Sequence, residues 1–145
     1  MYGFSLAALA MAVYLAVISF VTAQQVNIIA LEQVQIGASH LSIYGSVVSQ
    51  YAHGNATFTG SVSDATAALP AWFKRAASEG NYVATGTTYV YTTPTDYATG
   101  MAMARFLKVP RAGIKVNGVL VVPGGQASGI TIPAAVPNGA VVLML

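Results

Sequence analysis

The chain has 145 residues, of which 55% are apolar and only 7% charged, with a formal net charge of +2 and no cysteine. Charged residues normally supply about 25% of a soluble domain, so an ordinary soluble composition is excluded, as are disulfide staples and thiolate chemistry. The six basic residues lie in the second half without an aromatic-basic motif, which argues against a nucleic-acid partner.

Residues Phe4 to Val21 read FSLAALAMAVYLAVISFV, and the first charged residue of the chain is Glu32. At about 1.5 Å rise per residue, a helix over this stretch is roughly 27 Å long, close to the hydrocarbon thickness of a bilayer. Its Leu, Ile, Phe and Val residues favour insertion by about 4 kcal/mol before polar costs. Tyr2 suits an interfacial anchor. Residues 1–23 therefore read as a transmembrane anchor. Ala8, Ala12 and Ala16 recur every fourth residue and form a small-residue ridge that suits close helix–helix packing in lipid.

A cleaved signal peptide is the competing reading, because Val21-Thr22-Ala23 before Gln24 obeys the small-residue rule for signal peptidase. The missing basic leader and the long apolar run favour retention. With no Lys or Arg before the span, charge does not specify which side of the membrane the rest occupies.

From Gln24 the chain turns amphipathic. Val26-Ile29, Leu31-Val34 and Leu41-Tyr44-Val48 follow helical spacing, and Gly54-Asn55 supplies a stop. Residues 24–54 read as a stem helix, with Gly37 and Gly45 as points of weakness or bending. Residues 55–145 read as a small domain. Its first part is a loop with a short strand at Ala56–Thr59, followed by a short helix over PAWFKRAASEG from Pro70 to Gly80. NYVATGTTYVYTT has strand chemistry. Thr93-Pro94-Thr95-Asp96 predicts a capped helix with Pro at its first position and an acid in its first turn, running to Leu107.

Beyond Arg111, Gly113–Val116 and Val119–Val122 flank Asn117-Gly118, the preferred type I′ hairpin pair. Gly129–Ile132 and Ala140–Met144 complete the strands. The predicted class is α+β: a transmembrane helix continuing into a stem helix, then short helices and an antiparallel sheet.

Catalytic inventory is sparse. The acids are Glu32, Asp64, Glu79 and Asp96, with no spacing that pairs two of them as acid and base. His40 and His53 lack any metal-ligand spacing and read as polar positions on the stem. Neither a phosphate loop nor a nucleophile elbow is present. The reading is a non-enzymatic protein without catalytic, cofactor or metal residues. Arg105, Lys108, Arg111 and Lys115 cluster within eleven residues and form a candidate basic patch for an acidic partner or lipid head groups. The competing explanation is a solvated helix end whose cations complement the helix dipole.

Taken together, the opening MYGFSLAALA…VTAQQVN and the Gly-rich β-like tail resemble the small PilM family of conjugative type IVb, or thin-pilus, systems. This family is distinct from the actin-like cytoplasmic protein sharing its name. The resemblance implies an inner-membrane protein with a periplasmic domain, acting in pilin transport or at the pilus base. Its implied partners are membrane lipid and other pilus assembly proteins or pilin. It supplies no functional residues. Gly3-Phe4-Ser5-Leu6 is also similar to a prepilin processing site, although a basic leader and a Glu at the Ala8 position are missing. A minor pilin trimmed after Gly3, or a secreted binding module cleaved after Ala23, are the alternatives.

Overall fold

The computed structural model describes the chain from Gly3 to Leu145, with side chains from Met11 onward except those of Val26, Asn27 and Ile29. Tyr2 and the side chain of Ala8 lie outside the described residues. Contacts divide the chain into two units, Met1–Gln33 and Val34–Leu145. Helix α1, Gly3–Gly54, supplies the first and opens the second.

In the first unit every side chain from Met11 to Gln25 is exposed, including Tyr14 and Phe20. Among the described residues these side chains are not covered, and the helix is long and apolar enough to cross a membrane. The hydroxyls of Ser19 and Thr22 donate to the carbonyls of Leu15 and Ile18, each at 2.8 Å. Such bonds satisfy these polar groups within the helix itself, as a lipid environment requires.

In the second unit α1 becomes one-sided. Val34, Ala38, Leu41, Tyr44, Val48 and Ala52 are buried at intervals of three and four. They meet a six-stranded sheet made of β1 (Glu79–Ala84), β2 (Thr87–Thr92), β3 (Ala112–Val116), β4 (Val119–Val121), β5 (Ala127–Thr131) and β6 (Val141–Met144). The spatial order is β1-β2-β6-β3-β4-β5, with every neighbouring pair antiparallel. Helix α2, Tyr97–Leu107, packs beside α1 on the same face through Met101, Met103 and Ala104. The architecture is α+β, as the residue pattern predicts.

Close approach explains the stem glycines. A Cβ on Gly45 would sit 2.9 Å from Leu145 Cδ1 and 3.0 Å from Val90 Cγ2, so this position lets α1 lie against β2 and β6. Gly37 faces only the flexible end of Met103 in α2, whose Cε would lie 2.8 Å from a Cβ there. The helix runs through both without a break.

The opposite sheet face carries Tyr89, Leu120, Val142 and Met144, covered by Ile132 and Val136 from the segment before β6. Asn117 and Gly118 take φ of 50° and 82°, giving the turn expected between β3 and β4.

Three local expectations are corrected. Ala56–Thr59 is not a strand, and only Gly60 bridges to Val83. Residues 70–78 are irregular chain with short turns rather than a helix, and Glu79-Gly80 open β1, because burying Phe73 against α1 and drawing Arg75 toward Asp64 and β1 override local propensity. Asp96 is the N-cap of α2, accepting from Thr99 N at 2.8 Å, so Pro94 lies before the helix instead of at its first position.

Candidate functional site

Two concave features lie in the second unit. The first is a cleft of about 560 Å³ between the segment from Ser61 to Arg75 and β1, with Tyr44 of α1 at its base. Strand alternation aims Glu79, Asn81 and Val83 toward α1. Glu79, whose side chain is only 4% exposed, accepts from His40 Nδ1 at 2.8 Å and from Ala76 N at 2.9 Å. The His40 ring stacks on Phe73, with centroids 4.2 Å apart. Asn81 accepts from Val62 N through Oδ1 and donates through Nδ2 to Val62 O and the Tyr44 hydroxyl.

Arg75 donates through Nε to Asp64 at 2.9 Å and to the Glu79 carbonyl through Nη1. The Asp64 hydrogen bond raises the Arg75 pKa above its ordinary value, and burial raises that of the Tyr44 phenol. Every buried side-chain polar atom among the described residues has a partner. These groups are spent on one another, so the cleft reads as a polar seam that clamps the Ser61–Arg75 segment to α1 and β1.

The second feature is a groove of about 480 Å³ between α1 and the C-terminal end of α2. Ser39, Ser42 and Ile43 form one wall, and Phe106, Leu107 and Lys108 the other. Of these, Ile43 and Phe106 are exposed apolar side chains. Lys108 holds the left-handed C-cap of α2, with φ 51°.

The predicted basic cluster divides here. Arg105, Lys108 and Arg111 are exposed and make no ion pair among the described residues. Lys115 is buried on the far sheet face, its ammonium donating to Pro133 O at 2.9 Å and to Val136 O. Lys115 is therefore a structural cation and not part of an accessible patch. Ala12 and Ala16 lie exposed on α1. His53 is exposed and bonds the Ser49 carbonyl, whereas His40 belongs to the polar seam. Sequence reasoning missed Glu79 and Asn81. Their signal is polar residues sharing one alternation phase with Val83, the mark of a buried polar strand face. Among the described residues, no group of three or more His, Cys, Asp or Glu side chains converges as a metal site.

No curated protein matches the chain. A solved structure described as PilM from Escherichia coli B7A aligns with a TM-score of 0.58 at 16% identity, covering 79% of this chain and 92% of that one. A second, described as PilM from Pseudomonas aeruginosa 2192, is 33% identical over 78% of this chain and 93% of that one, with a TM-score of 0.49. The PilM family model matches residues 7–144. With that match spanning almost the whole sequence, the chain belongs to the pilus-related PilM family, the small one and not the actin-like protein that shares its name.

Proposed function

We propose that the protein is a non-enzymatic inner-membrane component of type IV pilus biogenesis, acting at the pilus base or in pilin transport during conjugation. The supporting observation is a helix with uncovered apolar side chains from Met11 to Val21 in a chain of a pilus-related family. Residues 4–22 anchor the protein, and the domain stands in the periplasm, where it contacts other pilus proteins. Carbonate extraction tests the anchor, which predicts retention in the membrane pellet. Deletion in a pilus-forming host tests the role: loss of pili and of conjugal transfer is expected, and normal piliation ends the assembly reading.

A second reading, a pilin-like subunit, is favoured by the single helix from Gly3 to Gly54 whose later part lies on an antiparallel sheet. N-terminal sequencing of the native protein separates the readings. An assembly component starts at its own N-terminus, a minor pilin is trimmed after Gly3, and a secreted module begins at Gln24.

A further inference from the structure

The domain's charge is unevenly spent. Between Val34 and Leu145 the only carboxylate side chains are Asp64, Glu79 and Asp96. Asp64 is paired with Arg75, Glu79 is buried against His40, and Asp96 caps α2. Among the cations, Arg75 and Lys115 are engaged, while Lys74, Arg105, Lys108 and Arg111 are exposed and have no carboxylate partner among the described residues. Three of these four fall within seven residues about the C-terminal end of α2, and one of them, Lys108, lines the groove. A depression lined by Ala38, Ile43, Phe106 and Leu107 together with Gln35, Ser39 and Ser42, with Lys108 in its wall and Arg105 and Arg111 three residues to either side of Lys108 in the chain, complements a ridge of apolar side chains flanked by carboxylates.

We infer that the groove between α1 and the end of α2 docks an acidic amphipathic segment of a partner protein. Its apolar side chains pack on Ile43, Phe106 and Leu107, and its carboxylates meet Arg105, Lys108 and Arg111. A peptide fits better than a bilayer surface because the site is concave, and a depression is filled by protruding side chains that a flat head-group layer does not offer. The inference rests on the proposed role as a pilus-assembly protein and names the chemistry of its partner.

The test uses the full chain in nanodiscs of neutral lipid. Its probe is a fluorescent synthetic helix of about 16 residues, with leucines on one face flanked by glutamates. Anisotropy titration should show saturable binding that weakens about tenfold in the Arg105→Glu/Lys108→Glu variant and by a similar factor in Ile43→Ser/Phe106→Ser. Lys74→Glu should bind as the parent does, and a lysine-flanked version of the helix should not bind. Absence of binding by the acidic helix, or equal affinity in the charge-reversed variant, overturns the proposal. So does recruitment to phosphatidylglycerol vesicles without peptide binding, which would make the patch a lipid contact. Peptide binding is scored independently of piliation. A deletion strain with normal pili ends the assembly role, whereas loss of pili together with a silent groove removes only this docking site.

Discussion

Asn81 of β1 donates to the hydroxyl of Tyr44, 37 residues earlier in the chain, while the same carboxamide holds both the N–H and the carbonyl of Val62. One side chain thus ties together the helix, the strand and the segment that runs between them. Tyr44→Phe removes a single acceptor and should cost about 1 kcal/mol. Asn81→Ala strands the Val62 groups and the phenol at once and should cost about 3 kcal/mol. Thermal unfolding of the two variants in the same detergent checks the ranking, which would reverse if the hydroxyl were the main contributor.

His40→Ala leaves Glu79 buried with only the Ala76 amide as partner and removes the stack on Phe73. Because His40 is itself about a third exposed, the expected loss is about 2 kcal/mol, below that for a fully buried pair. Proteolysis within residues 61–78 should accelerate in this variant, since the seam fastens that segment.

The two stem glycines should respond in opposite senses. At Gly37 a new methyl meets chiefly the mobile end of Met103, so Gly37→Ala should be neutral or stabilising by up to about 1 kcal/mol through helix propensity. At Gly45 the methyl meets Val90, a fully buried branched residue, together with Leu145. Overpacking there should outweigh the propensity gain and leave Gly45→Ala destabilised by about 1 kcal/mol. Melting temperatures of the pair decide it.

Asp96 accepts from the backbone and the hydroxyl of Thr99, and these bonds hold its carboxyl below the ordinary carboxylate range. A folded-state pKa lowered in this way contributes stability that is present above the unfolded value and lost as pH falls through the folded one. Melts from about pH 5 down to about pH 3 should therefore show a steeper decline for the parent than for Asp96→Asn, which caps without titrating.

Lys115→Met should leave any groove function intact while destabilising the domain by about 1–2 kcal/mol, because Pro133 O and Val136 O lose their donor. Equal unfolding curves for parent and variant would contradict the buried position of this cation.

Local chemistry explains which parts of the fold were legible. The helix stop at Gly54, the Asn117-Gly118 turn and the strands around it depend on neighbours in sequence, and the residues announce them. The hairpin between β1 and β2 is marked only by Thr85-Gly86, whose φ of 48° and 76° turn what reads as one stretch of strand chemistry into two strands. The absence of a helix after Pro70 is a tertiary effect, because Phe73 and Arg75 find partners far from their own turn. Lys115 looked like surface charge because its carbonyl partners lie 18 and 21 residues away. The exposed cations at positions 105, 108 and 111 were visible in the sequence, but the groove beside them needed α1 and α2 to meet.

β6, the last strand in chain order, is the plank between two otherwise separate pieces: β1 and β2 on one side, β3 to β5 on the other. Neither piece hydrogen-bonds to the other through strand pairing until residues 141–144 arrive. A chain emerging N-terminus first must therefore wait, with the sheet unjoined, for residues 141–144. The lag leaves the strand edges of both halves available to chaperones or to mispairing, and losing even part of residues 141–144 would cost the whole platform and not just its rim.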